Sequence, residues 1–201
     1  MVSRGISWSR QEIVRGYMVL GGIPQYWGLL DKSMSLSQNI DELFFTENGL
    51  MRSEILELHG VSDIRSNDYL SVMERLSQRH GGMTKDEIAK EVKLTGSDDL
   101  DKILNDLKLS SFVREVPIFG QGIENPVYQL ADFYTLFYFR FIHNCTLIPD
   151  FWSHISSYDA WEELAFNNCA WVMSRLLKRL WALMRLPIPR HGPRKGMHAG
   201  A

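Results

Sequence analysis

The stretch Gly21-Gly22-Ile23-Pro24-Gln25-Tyr26 follows a helix-like run near the N-terminus and decides how the first part of the chain folds. Glycine reaches backbone conformations that other residues avoid, and proline fixes φ and suits the first position of a helix. The pattern therefore predicts the end of one helix, a tight turn, and a second helix that begins at Pro24. Any pair of packed helices can use such a turn, so on its own the stretch indicates local structure and no function.

Apolar residues at helical spacing lie on both sides of this turn. Ser9 and Glu12 form a capping-box pattern, which marks the start of a helix. The predicted helices are Arg10–Leu20, Pro24 through Leu30, a third capped by Ser37, and Leu50–Leu58. Together they predict a small helical bundle over residues 9–60.

A different order of elements follows the bundle. The sequence predicts a helix that ends at Gly81-Gly82, a second with a Thr84/Glu87 capping box, a third capped by Ser97, and two strands over Phe112–Phe119 and Pro126–Leu130. Three helices and then a strand, a loop and a strand are typical of a winged helix-turn-helix. A plain helical domain with an attached hairpin is the alternative.

The last third of the chain changes in composition along its length. Phe133–Phe141 is strongly aromatic, which favours a place in the core or at an interface over a cofactor site. A long amphipathic helix is predicted over Ala160–Leu186, and its basic residues suggest either a solvated face or a partner-binding one. Residues 187–201 are rich in proline, glycine and basic residues, so we expect a disordered tail.

Overall composition restricts the class of protein. The chain has 201 residues, 45% apolar and 23% charged, with a net charge of −2. These values are typical of globular proteins and give no global electrostatic signature of nucleic-acid binding. Two cysteines, no secretory signal in the first residues and no apolar run of membrane-spanning length lead us to expect a cytoplasmic protein.

Motifs that carry catalysis are missing from the sequence. It contains no phosphate-binding loop, no nucleophile elbow and no paired-histidine zinc helix. His143 and Cys145 are the only close pair of soft metal ligands, and nothing near them completes a tetrahedral set. Gly120 and Gly122 lie between two predicted strands and indicate the tip of a hairpin. We therefore expect no catalytic residue and no metal ligand.

The turn and several later stretches occur in an order that resembles a known family. The matching stretches are Leu20 to Tyr26, Gln38 to Phe45, Met83 to Ala89, Leu104 through Val113, Tyr128 to Tyr138, and Trp161 to Phe166. Over residues 14–166 the chain resembles the C-terminal half of the prokaryotic ATPases often called the archaeal ATPase family, which are AAA-related (STAND-type) proteins. Members combine a P-loop ATPase core, a helical lid, a winged helix and a restriction-endonuclease-like domain.

The resemblance implies a division of the chain and one candidate site. The implied parts are a helical lid at 1–62, a winged helix-turn-helix at 63–131, a helical stump of the nuclease-like domain at 132–186, and the tail at 187–201. In the family, the glycine–proline turn of the lid approaches bound nucleotide, so Gly22 and Pro24 are implied to sense it. ATP and magnesium belong to the full-length proteins, and this chain alone is expected to hold neither.

The chain also departs from the family pattern. Asn167 stands where the nuclease-like domain typically has a glutamate, and no acidic and lysine catalytic set follows it. We expect a truncated or frameshifted end that is inactive by itself. The resemblance implies a non-catalytic fragment that couples nucleotide state to an ATPase core, a protein partner or nucleic acid.

Two alternatives remain open at this stage. One is a stand-alone winged-helix regulator that contacts nucleic acid; the candidate residues for this contact are Lys102, Asn105, Lys108 and Gln121. Four aspartates on or beside the predicted recognition helix (Asp98, Asp99, Asp101 and Asp106) oppose phosphate binding, so this contact is expected to be weak. The other alternative is a partner-binding adaptor that uses the aromatic strip and the basic helix.

Overall fold

The computed structural model describes residues 8–52, 54, 64–79, 81–94, 99–117, 125–143, 148, 150–154, 161–166, 168–171 and 173–174. The chain divides into one unit over residues 1–166 and a second over residues 167–201. In the second unit, residues 168–171 and 173–174 are helical. The four-part division expected from the family resemblance stays a prediction.

Helices dominate the first unit. In chain order its elements are α1 (Arg10–Leu20), α2 (Pro24–Gly28), α3 (Leu36–Ile40, continued by a π-helical turn over Asp41–Phe45), α4 (Ile64–Ser77), β1 (Met83–Thr84), α5 (Lys85–Glu91), α6 (Leu100–Leu109), β2 (Val113–Val116), β3 (Val127–Leu130), α7 (Phe133–Phe137, continued by a π-helical turn over Tyr138–Ile142) and α8 (Phe151–His154). Residues 161–166 are also helical. A mainly α fold with a small β-hairpin is therefore confirmed.

Two predicted helix caps are wrong by two residues. Ser35, and not Ser37, caps α3: its hydroxyl accepts the Gln38 N–H at 3.2 Å, and the Gln38 side chain accepts the Ser35 N–H at 2.9 Å. Asp99, and not Ser97, caps α6 by accepting the backbone N–H three residues later at 2.8 Å. In each case two capping residue types lie close together, and the pattern does not say which one takes the extended backbone.

Several predicted element ends are also too long. α2 ends at Gly28 and not at Leu30, and both strands of the hairpin are shorter than predicted. Within the predicted helix Leu50–Leu58, residues 50–52 form a turn and residue 54 is helical, and the others lie outside the described residues. The Met51 N–H donates to the Leu43 carbonyl at 3.0 Å, so the chain folds back on the π-helical turn before a new helix can start.

The sheet has three antiparallel strands in the order β1-β3-β2. β2 and β3 form the predicted hairpin, with Val113 opposite Leu130. β1 adds a two-residue edge strand that the sequence does not predict, because two residues are too few to show alternation. Gly82 precedes it with φ +84°, and a Cβ there would lie 2.8 Å from the Tyr128 carbonyl oxygen, so this edge needs glycine.

The aromatic strip predicted for core or interface forms the centre of the core. Phe137 is 0% exposed. Its ring lies with centroids 5.0 Å from Phe44, 5.0 Å from Trp152 and 5.3 Å from Trp161, all close to edge-on. Such pairs contribute about 0.5–1.5 kcal/mol each beyond the area they bury. α3, α7, α8 and the helical residues 161–166 thus share one aromatic cluster.

Candidate functional site

The turn between α1 and α2 uses backbone that other residues rarely adopt. Gly21 has φ +66° and ψ −157°, a region almost restricted to glycine. Its N–H donates to the Tyr17 carbonyl at 2.9 Å, and its carbonyl accepts the Trp27 indole N–H at 2.9 Å. The second bond is buried, so it fixes the direction in which the chain leaves α1.

A second glycine lets the two helices meet closely. A Cβ on Gly16 would lie 2.9 Å from Cη2 of Trp27, which is closer than real Cβ atoms come to a neighbour. Trp27 is buried and its indole is already hydrogen-bonded, so it has little room to give way. The indole therefore connects α2 both to the body of α1 and to the turn.

Gly22 and Pro24, the expected nucleotide-sensing residues, are both exposed on this turn. A Cβ on Gly22 would lie 3.5 Å from the Tyr17 ring, an ordinary packing distance. Pro24 occupies the first turn of α2, where its missing N–H costs nothing. Residues 21–26 include no charged side chain. The turn can offer backbone and apolar contacts to a nucleotide, and it cannot neutralise phosphate charge.

Tyr26 joins the turn to the helix that follows the sheet. Its hydroxyl donates to Glu54 at 3.2 Å, and burial together with the Glu54 charge raises the pKa of Tyr26 well above its ordinary value. Its ring centroid lies 5.4 Å from that of Tyr134 in α7. The buried Tyr134 hydroxyl donates to the Met51 carbonyl at 2.8 Å. The phenol of Tyr26 thus stays protonated and packed against α7.

α1 also contacts the start of α7 directly. The rings of Tyr17 and Phe133 meet edge-on with centroids 5.3 Å apart. Asp132 caps α7 by accepting the Thr135 N–H at 2.8 Å, and it lies two positions after β3 ends at Leu130. One short path therefore runs from the turn, through α1 and α7, to the central strand of the sheet.

The candidate nucleic-acid contacts on α6 lie on one side of that helix. Lys102, Asn105 and Lys108 recur at three-residue spacing, which places them along one helical face. Lys102 and Asn105 are exposed and Lys108 is half-buried. Gln121 lies outside the described residues.

Each lysine near this face has a carboxylate partner. Lys102 Nζ lies 3.7 Å from Asp106, and Lys108 Nζ lies 2.9 Å from Glu115 on β2. The hydrogen bond to Glu115 raises the pKa of Lys108, so the ammonium stays charged. Lys85 on α5 pairs with Asp101 in the same way. Such exposed pairs add little stability, but they cancel the positive field that phosphate binding needs.

Asp41 belongs to one of the stretches that match the family pattern, and sequence reasoning assigned it no role. Its side chain is 5% exposed, and its carboxylate accepts three hydrogen bonds from the first turn of α8. The donors are the N–H of Trp152 at 2.6 Å, the N–H of Ser153 at 3.0 Å, and the Ser153 hydroxyl at 2.5 Å. Asp41 thus caps a helix that lies about a hundred residues further along the chain.

The described part of the chain contains neither a metal-binding cluster nor a membrane-spanning helix. No group of three histidine, cysteine, aspartate or glutamate residues among those described could hold a metal ion. No helix there combines the length and the apolar character that crossing a membrane requires.

Comparisons with known proteins found no match for this chain. No protein-family model, no curated protein and no solved structure matches it.

Proposed function

We propose that this chain is a non-catalytic C-terminal part of an AAA-type ATPase, and that it couples nucleotide state to a partner through a lid and a winged helix. The order α4, β1, α5, α6, β2 and β3 supports the proposal, because in a winged helix-turn-helix three helices are followed by a hairpin that forms the wing. The helices α1 to α3 before it supply the lid, and α7 and α8 supply the helical stump.

One observation carries the proposal: the turn that holds Gly22 and Pro24 is held by close packing against α7, the helix that follows β3 in the chain. Trp27 fixes the turn to α1, and Tyr17 and Tyr26 fix it to α7. Because packed cores shift between discrete arrangements and do not bend continuously, a displacement of the turn would be passed to α7 and to β3.

The turn does not form a complete nucleotide site. It lacks any charge of its own, and a nucleotide carries several negative charges on its phosphates. The proposed lid therefore adds contacts to a nucleotide that an ATPase core outside these 201 residues holds. In this role the chain responds to the nucleotide state and does no chemistry on it.

A photo-cross-linking experiment tests this proposal. A photoreactive phenylalanine replaces the exposed Gln25, and a second chain carries it at the exposed Ser110 as the matched control. We expect cross-linking in the native host at position 25, and not at 110, to capture a polypeptide with a Gly-x-x-x-x-Gly-Lys-Ser/Thr loop. Capture of no such polypeptide, or ATP hydrolysis by the purified chain, would overturn the proposal.

The two alternatives have less support from the described residues. A DNA-binding regulator needs cations that are open to phosphate, and the lysines at the α6 face have acidic partners. An adaptor that uses the aromatic strip needs that strip on the surface, and most of the strip is buried.

A further inference from the structure

A polar cavity of about 230 Å³ lies between α1, α3 and α8, away from the turn and from the α6 face. Its polar lining comes from Glu12, Arg15, Ser35, Ser37 and Ser153. Since one water occupies roughly 30 Å³ in the liquid, the cavity has room for a ligand of about eight water-sized heavy atoms.

Opposite charges lie side by side on the α1 wall of the cavity. Glu12 and Arg15 are three residues apart on one helix, so their Cβ atoms are about 5–6 Å apart. The Glu12 carboxylate accepts the Ser9 N–H at 2.8 Å, and this bond lowers its pKa, so it is ionised at neutral pH. Arg15 Nε donates to Glu162 at 2.8 Å, and a guanidinium presents five N–H donors in a planar fork whose geometry suits a carboxylate.

Serine hydroxyls form the rest of the polar wall. The Ser35 oxygen accepts the Gln38 N–H at 3.2 Å, which leaves its O–H to donate. The Ser153 hydroxyl donates to Asp41 at 2.5 Å, which leaves its lone pairs to accept. Ser37 lies on α3, two residues after Ser35, and lines the same cavity. The cavity thus offers both donors and acceptors beside its two charges.

We propose that this cavity binds a small zwitterion, such as a free amino acid, with its ammonium on Glu12 and its carboxylate on Arg15. A phosphate fits less well, because it offers no cation to pair with the ionised Glu12 carboxylate. A sugar usually rests on an exposed aromatic face, and Trp152 is only 3% exposed. This inference is independent of the proposed lid function.

Calorimetric titration of the full chain with each common protein amino acid tests the inference. We expect at least one to bind at millimolar concentration or below. Its N-acetylated form and its carboxamide form should each bind at least about tenfold more weakly, because each removes one of the two proposed ion pairs between the ligand and the cavity. Failure of every amino acid to bind, or equal binding of the blocked forms, would overturn the proposal.

Two variants locate the binding at this cavity. Ser37→Leu fills the space, and Ser71→Leu makes the same change on α4 as the matched control. We expect the first to weaken binding at least about tenfold and the second to leave it unchanged. Glu12→Gln keeps an oxygen acceptor for the Ser9 N–H and removes the charge, so it should also weaken binding. Unchanged affinity in both cavity variants would place the ligand elsewhere and overturn the proposal.

Discussion

The carboxylate of Asp41 accepts the backbone N–H of Trp152 at 2.6 Å in the protein interior. The bond joins the π-helical turn after α3 to the first turn of α8, the helix that follows α7 in the chain. Backbone donors at a helix start have no partner within the helix, so a buried start needs such an acceptor. Trp152 also packs against Phe137, and the polar and aromatic contacts of α8 therefore depend on each other.

Replacing Asp41 with alanine should destabilise the first unit strongly. The change leaves the buried Trp152 N–H, the partly buried Ser153 N–H and the Ser153 hydroxyl without their acceptor, and we expect a loss of about 2–4 kcal/mol in the free energy of unfolding. Urea unfolding followed by tryptophan fluorescence measures it. Asp86→Ala, at an exposed position in the first turn of α5, is the matched control and should cost less than about 1 kcal/mol. If the two variants lost equal free energy of unfolding, the hydrogen bonds of Asp41 to α8 would stabilise the protein no more than an exposed carboxylate at a helix start does.

Gly16→Ala tests the close contact between α1 and α2. Alanine favours a helix by about 1 kcal/mol over glycine, but its Cβ would lie 2.9 Å from the buried Trp27 ring. We expect the clash to dominate, with a net loss of about 1–3 kcal/mol and a changed environment for the Trp27 indole. Thermal unfolding and the indole N–H resonance report the two effects.

Gly81→Ala is the control for that substitution. A Cβ at Gly81 meets nothing within 4 Å, and its φ is not in the positive range. We expect a neutral or slightly stabilising effect there, because alanine restricts the unfolded chain. If Gly16→Ala were as well tolerated as Gly81→Ala, the Trp27 ring could move away from α1. The close contact between α1 and α2 would then not be needed for stability.

The capping box of α5 predicts a dependence of stability on pH. The Thr84 N–H donates to Glu87 at 2.7 Å, and this bond, followed by the Thr84 hydroxyl, lowers the pKa of Glu87 below its ordinary 4.5. A carboxyl with a lower pKa in the folded state stabilises the protein fully above its unfolded pKa. That stabilisation is lost as the pH falls through the folded pKa. Carboxyl NMR titration measures the pKa directly.

Two substitutions at Thr84 separate the causes of that pKa shift. Thr84→Val removes the hydroxyl but keeps the N–H, so the pKa of Glu87 should rise part of the way toward 4.5. Thr84→Ser keeps both donors and should leave the pKa where it is in the wild type. A value at or above 4.5 in the wild type would contradict the capping geometry.

Removing a carboxylate beside α6 should increase non-specific DNA affinity. Glu115→Gln leaves Lys108 without its partner at 2.9 Å, and Glu47→Gln makes the same change of net charge at an exposed site elsewhere. We expect weak binding by the wild type, with a shallow dependence on salt, and tighter binding only by Glu115→Gln. Fluorescence anisotropy of a labelled duplex at low salt measures it. Tight wild-type binding that Lys102→Ala and Lys108→Ala abolish would instead favour the DNA-binding regulator.

The sequence predicts local features of this fold well. The bounds of α1 and the capping box at Thr84 are as predicted, because each depends on side chains within one helical turn. The caps at Ser35 and Asp99 were missed because two candidate residues lie close together in each case. A short-range pattern does not show which of two nearby capping residues becomes the N-cap, since tertiary contacts decide which one takes the extended conformation.

Features that depend on distant residues were not predictable from the pattern. The bonds from α8 to Asp41 connect positions 41 and 152, and the cavity brings Glu12, Ser37 and Ser153 together from three separate elements. No spacing in a single sequence reports such pairings. An aspartate just before a run of large apolar residues was the only available signal, and it also fits an ordinary exposed position.

The π-helical turns over Asp41–Phe45 and Tyr138–Ile142 have a consequence for how this chain tolerates insertions and deletions. A π-helical turn accommodates one residue more than a regular α-helix would need. Deletion of the exposed Glu42 should therefore restore an α-helical turn and leave the residues beyond it facing the same way. A deletion in the regular helix before the turn would instead rotate those residues by roughly 100° and take Phe45 from its place 4.6 Å from Phe151. Each π-helical turn is thus the place in its helix where the aromatic cluster should best tolerate the loss of one residue.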